Sequence, residues 1–244
     1  MLRWYKDNQY APKFKYLAMN AINSPKLKVY LIPGMSAGVE SFEALSLPNN
    51  CCSEVLPWLI PEPNENLVEY AKRMLINVDT SAPFILLGVS FGGIIAQEAL
   101  KFLKPKAVIL ISTVKSNTEK PKWMRWAYYT KIYRILPYYF AGHLAQKPLH
   151  MLPDHWQKRW KQYDYYLPMR APEYLSWSVE QVLKWHGDSI KCDIPVYHIH
   201  GDQDQLFPLE YIRDAQVIKG GPHIMILTHA KAVSKLLARI CEQF

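Results

Sequence analysis

Short apolar runs alternate with helical patterns along most of the chain. The runs at 28–32, 54–60, 84–89, 107–112 and 196–200 are rich in aliphatic and aromatic residues and flanked by turn formers, which predicts strands. A further strand is expected at 16–21. Between them, 66–78 places Leu67, Tyr70, Ala71 and Met74 at helical spacing, and 91–103 does the same with Ile94, Ile95, Ala99 and Phe102. The pattern closes with an amphipathic helix over 229–244, carried by Val233, Leu236, Leu237 and Ile240. Strands this uniformly apolar need cover on both faces, so the expected architecture is α/β, a mostly parallel central sheet with helices on both sides.

The rhythm breaks over 114–186, which reads as a helical cap inserted into a core made of 1–113 and 187–244. Composition sharpens this picture. The segment holds 12 Lys/Arg against 5 Asp/Glu, so +7 of the chain's formal +8 lies here, with 16 of its 32 Phe, Trp and Tyr residues. Trp156, Trp160 and Tyr163 recur at i, i+4, i+7, and Trp123, Trp126, Thr130 and Tyr133 follow a similar stripe, which predicts amphipathic helices. These aromatics either glue the cap to the core or line an apolar pocket. Trp123, Trp126, Trp156 and Trp160 are the candidates for the pocket, and the lysines and arginines around it would draw in an anionic or amphiphilic substrate.

Candidate chemistry begins at a strand-to-helix junction. Gly88-Val89-Ser90-Phe91-Gly92 follows the run PFILL and precedes a helix, the setting a GxSxG nucleophile elbow requires. Small residues flank the serine because the turn is tight, and the following helix N-terminus favours negative charge beside its hydroxyl. A capping serine in an ordinary tight turn is the bland alternative. Two further segments stand later in the chain, in the order acid then histidine that such a site needs. Gly201-Asp202-Gln203-Asp204 leaves the last long strand, and Gly220-Gly221-Pro222-His223 forms a loop before the final helix.

With these three segments the sequence resembles the α/β-hydrolase superfamily from about Leu27 to the C-terminus, apart from the middle segment. Gly201, Asp204 and Pro208 match the family's GxxDxxxP pattern, and GGPHIM matches its histidine loop. The resemblance implies a catalytic triad of Ser90, Asp204 and His223 and an acyl-enzyme route. Asp202 competes for the acid role from the same strand end, and the step from Gly201 favours Asp204. One oxyanion donor would be the backbone N–H of Phe91, directly after the nucleophile. The other would be that of Met35, because Ile32-Pro33-Gly34-Met35 is similar to the family's oxyanion segment, with proline where histidine is common. Branches with an aspartate nucleophile are disfavoured by Ser90. Hydrolysis of a carboxylic ester comes first; thioester, amide or carbon–carbon cleavage, or a non-catalytic ligand binder of this fold, are the alternatives.

Other chemistries find little support. His198 and His200 share a strand face, where a structural role outweighs a metal pair because no third ligand follows, and His143, His150 and His155 form no metal-like group. Neither a P-loop nor a dinucleotide fingerprint occurs, so no cofactor is expected. No nucleic-acid motif accompanies the basic residues. The Trp, Tyr and Lys mixture leaves membrane-surface contact open. Lysines and arginines interrupt the first thirty residues, no apolar run is long enough to span a bilayer, and Cys51, Cys52, Cys192 and Cys241 lack CxxC spacing, so a soluble cytoplasmic protein with reduced thiols is expected.

Overall fold

The computed structural model describes residues 27–134, 164–187 and 193–244. Its strands are β1 (Leu27–Ile32), β2 (Cys51–Val55), β3 (Phe84–Val89), β4 (Ala107–Ile111), β5 (Val196–Gly201) and β6 (Gln216–Ile218). They form one sheet in the order β2-β1-β3-β4-β5-β6, and every adjacent pair is parallel. The described helices, numbered in chain order, are α1 (Leu67–Met74), α2 (Phe91–Ala99), α3 (Lys122–Thr130), α4 (Pro172–Lys184), α5 (Met225–Thr228) and α6 (Ala230–Cys241).

Alternation along the strands builds two cores. Tyr30, Ile32, Leu86, Val108 and Leu110 face one way and pack with Tyr70, Met74, Ile94, Ile95 and Tyr174 from α1, α2 and α4. Val29, Leu31, Ile85, Leu87, Ile109 and Ile111 face the other way, against Met225, Val233, Leu237 and Ile240 from α5 and α6. Each such aliphatic side chain taken from water contributes about 1.5–3 kcal/mol, which is why the central strands tolerate almost no polar residue. The chain order reverses between β1 and β3. Open parallel sheets form a crevice at the carboxyl ends of strands at such a point, and there the loops after Ile32 and Val89 meet.

Four differences from the sequence expectations have physical causes. The second strand spans Cys51–Val55 instead of 54–60, because Pro57 has no N–H for the ladder and the chain leaves the sheet after Leu56 N–H donates to Leu31 O at 2.9 Å. The edge strand β6 was not anticipated, being only three residues long with two of them exposed. The helices α1, α2 and α6 are shorter than their apolar periodicity; Leu75 and Val78 remain buried beyond the end of α1, so burial outlasts helical geometry. Asn66 ends the expected first helix at its start by capping it, its side chain accepting from Val68 and Glu69 N–H at 3.0 Å each. The expected strand at 16–21, and Trp156, Trp160 and Tyr163, lie outside the described residues.

Between β4 and β5 the chain makes a long excursion that includes α3 and α4. Its return is fastened by buried polar contacts: Trp185 Nε1–H donates to Glu98 Oε1 on α2 at 2.7 Å, and the buried Lys120 ammonium donates to the carbonyls of Leu183 and Trp185 at the end of α4. No helix of the described residues is long and apolar enough to cross a membrane.

Candidate active site

Ser90 stands where β3 passes into α2, at φ +51° and ψ −117°. A non-glycine residue is rare in this region, and the turn holds it by three bonds. Ser90 N–H donates to Ile111 O at 2.9 Å, while Thr113 Oγ1–H and Gly93 N–H donate to Ser90 O at 2.7 and 2.9 Å. The flanking glycines are there for space. A Cβ on Gly88 would stand 2.3 Å from Gly92 O, and one on Gly92 would stand 2.3 Å from Ile32 O. The Ser90 side chain does not cap α2. Its hydroxyl meets His223.

His223 Nε2 lies 3.0 Å from Ser90 Oγ, and Nδ1 lies 2.8 Å from Asp204 Oδ2. The carboxylate can only accept, so Nδ1 carries the hydrogen and Nε2 is left to accept the serine proton; the network assigns this tautomer. Asp204 is buried, and its second oxygen accepts from Leu206 and Phe207 N–H at 2.9 Å each. Burial pushes its carboxyl upward, but the His223 hydrogen bond and charge and the Phe207 N–H outweigh this and hold it below the usual aspartate value. Phe207 also places its ring against His223, with centroids 5.5 Å apart.

Asp202 is committed elsewhere. Its Oδ1 accepts from Gly220 N–H at 2.6 Å, and Gln203 N–H donates to Gly221 O at 3.0 Å, so the two bonds tie the aspartate loop to the histidine loop. The loops touch so closely that a Cβ on Gly201 would lie 2.0 Å from Gly221 O. This contact sets how far Asp204 and His223 stand apart.

Met35 follows the end of β1 in a turn closed by Ala37 N–H donating to Gly34 O at 2.9 Å. The turn lies against the elbow, since a Cβ on Gly34 would be 3.7 Å from Ser90 Cβ. Among the described residues, neither Met35 N–H nor Phe91 N–H donates to a protein acceptor. Both backbone donors are thus unspent among the described residues, one in the turn beside the elbow and the other at the first position of α2.

Of the aromatic candidates, Trp123 and Trp126 are 54 % and 69 % exposed on α3, and Trp156 and Trp160 lie outside the described residues. The aromatic rings that do gather around the elbow are Trp58, Tyr174 and Trp177, which contact one another or Phe91. Sequence reasoning missed them. Trp58 falls inside the run expected as a strand, and Tyr174 and Trp177, three apart on α4, lie in a segment whose aromatic richness hides the individual positions.

His198 and His200 pack edge to face with centroids 5.3 Å apart, and no cluster of three metal-ligating side chains occurs among the described residues. His200 Nε2 bonds Phe207 O at 2.8 Å and so braces the aspartate loop. Burial, then the neighbouring His200 and Lys115, push His198 down to about 3.

No protein-family model matches the chain, and no curated protein sequence matches it. Solved structures do. A hydrolase from Pseudomonas aeruginosa PA01 superposes with a TM-score of 0.62 at 14 % identity, over 87 % of this chain and 89 % of that one. A thermophilic esterase from Thermogutta terrifontis gives 0.57 at 14 % identity over 89 % and 90 %. YbtT, a type II thioesterase from the yersiniabactin NRPS/PKS pathway, gives 0.58 at 13 % identity over 91 % and 95 %. At such identities the likeness establishes the fold: the chain has the α/β-hydrolase fold, with a parallel sheet and helices on both faces.

The buried neutral His198 has a consequence for stability. Its folded-state value lies below the ordinary 6.5, so as pH falls from 6.5 toward 3 the unfolded chain takes up a proton that the folded chain refuses, and stability is lost over that window. Replacing His198→Leu should flatten the decline of unfolding free energy between pH 7 and pH 4 by a few kcal/mol, roughly, in urea titrations at the two pH values. Equal declines in both proteins would contradict the buried neutral state.

Proposed function

We propose that this chain is a serine hydrolase that transfers the acyl group of a carboxylic ester or related small-molecule substrate to water. The observation that carries the reading is the unbroken hydrogen-bonded series from Ser90 Oγ through His223 to Asp204. In the first step His223 Nε2 takes the Ser90 proton as Oγ bonds to the substrate carbonyl carbon, and the carbonyl π electrons move onto oxygen. Asp204 keeps the imidazole in the required tautomer and stabilises its charged form. The tetrahedral intermediate then expels its leaving group, which takes the proton from His223. Water, deprotonated by the same imidazole, attacks the acyl-serine carbonyl, and the second tetrahedral intermediate expels Ser90 Oγ, which takes the proton back from His223 as the acid is freed.

The oxyanion formed twice in this cycle would be held by Met35 and Phe91 N–H, each worth on the order of 3 kcal/mol of transition-state stabilisation in sites of this kind. Both being unspent among the described residues supports the assignment. The P. aeruginosa, T. terrifontis and YbtT proteins are described as hydrolase, esterase and thioesterase, which favours acyl transfer over the non-catalytic alternative. In this reading 114–186 is the cap over a core of 1–113 and 187–244. The basic Lys122, Arg125 and Lys131, all exposed, would raise the local concentration of anionic substrates.

Turnover of short p-nitrophenyl esters tests the reading. The wild-type chain should hydrolyse them, and Ser90→Ala should lower kcat/KM by about 1,000-fold or more while remaining folded. Equal rates in the two proteins would remove the proposed nucleophile, and no turnover by the wild type would favour a binder. Esters bearing a carboxylate should gain over neutral ones at low salt and lose the advantage at about 0.5 M salt, where charges are screened beyond a few ångströms. An absent low-salt preference would dismiss the steering role of the cap.

A further inference from the structure

Trp58 bonds the peptide unit whose N–H is one proposed oxyanion donor and stacks on the residue that bears the other. After Pro57 takes the chain out of the sheet, the Trp58 side chain is buried against the loop that follows β1. Its indole Nε1–H donates to Gly34 O at 2.9 Å, the oxygen that also receives Ala37 N–H. No described peptide bond is cis, so Gly34 C=O and Met35 N–H belong to one plane and point in opposite directions. Anchoring the oxygen therefore fixes the direction of the Met35 N–H.

The face of the same indole lies on Phe91, with centroids 5.2 Å and planes 13° apart. Phe91 supplies the other donor. Trp58 also meets Tyr174 of α4 at 5.5 Å, and the Tyr174 hydroxyl accepts Ser36 N–H at 3.3 Å. Ser36 directly follows Met35 and sits at φ +66°, a left-handed backbone that a serine keeps only when its surroundings hold it there. Met169 N–H supplies the second restraint by donating to Ser36 O at 3.2 Å. An indole suits this place because it alone combines a broad apolar face with a single edge donor.

We propose that Trp58 is a positioning residue that aims both oxyanion donors, through its hydrogen bond to Gly34 and its stack on Phe91, with Tyr174 bracing the same loop from α4. The proposal deepens the reading of Ser90 as nucleophile and rests on it. A competing role is simple core packing. The two differ in what they protect: packing protects stability, whereas aiming protects affinity for the oxyanion over affinity for the ground state.

Trp58→Phe separates them, because phenylalanine keeps a ring against Phe91 and lacks the N–H. The readouts are kcat and KM for a p-nitrophenyl ester, and the inhibition constant of an alkyl trifluoromethyl ketone, to whose carbonyl Ser90 Oγ adds as its proton passes to His223. Per folded molecule by circular dichroism, kcat should fall about tenfold with KM within about twofold, and ketone affinity should fall by a similar factor, less than full loss of a donor costs. Tyr174→Phe should show the same selective pattern, about threefold, and serves as the test if Trp58→Phe does not fold. Wild-type kcat and ketone affinity per folded molecule, with only the melting temperature lowered, would overturn the proposal in favour of packing. Ser90→Ala assayed alongside tells the two claims apart: its loss of turnover and ketone capture upholds the nucleophile, so a negative Trp58 result counts against Trp58 alone. Undiminished turnover by Ser90→Ala withdraws both.

Discussion

The backbone conformation of Ser90 is the constraint from which the site follows. A serine at φ +51° is uphill in free energy, and it persists here because neighbouring strands and glycines leave the chain no other route. The bond from Ser90 N–H to Ile111 O extends the β3–β4 ladder one residue past the strand, so the sheet itself holds the start of the turn. The carbonyl on the other side is taken by Thr113 and Gly93. The hydroxyl is consequently lifted out of the sheet at the carboxyl end, beside the first turn of α2, instead of folding back to cap it.

The other members of the site reach this hydroxyl through a second close approach, between Gly201 and Gly221. Asp204 and His223 lie on separate loops at the far end of the sheet, and loops ordinarily wander. Here a backbone contact with no room for a Cβ, the Asp202 bond to Gly220, and the Gln203 bond to Gly221 turn the pair into one unit. Asp202 and Asp204 thus divide the work by geometry. The first fixes the loops to one another, and the second, buried and held below the ordinary carboxylate range, stays charged where an imidazole needs it.

Much of this was legible in the sequence. The central strands show because full burial on both faces makes them continuously apolar; Gly88, Ser90 and Gly92 stand out because a tight turn restricts residue type, and Gly201, Asp204 and His223 because they match the patterns of the family the sequence resembles. What was hidden shares a different property. Strand β6 is too short and exposed to carry a periodic signal, and β2 is displaced because the apolar run continues through Pro57 into a loop that buries Leu56 and Trp58 without being a strand. Trp58 and Tyr174 were invisible as functional positions because their roles depend on which backbone oxygen or N–H they reach across a sequence gap, and no local pattern encodes that. Trp123 and Trp126 are the converse case: their spacing marks a helix face, and both side chains are largely exposed on it.

The most direct measurement of the central claim is covalent labelling with a fluorophosphonate followed by peptide mass spectrometry. The reagent loses fluoride as a serine oxygen bonds to phosphorus, and only a serine whose proton is removed reacts quickly. The account predicts one rapid adduct per chain, on the peptide containing Ser90, with labelling slowed by orders of magnitude in His223→Ala. Adducts spread over several serines, or a Ser90 rate that His223→Ala leaves unchanged, would contradict it.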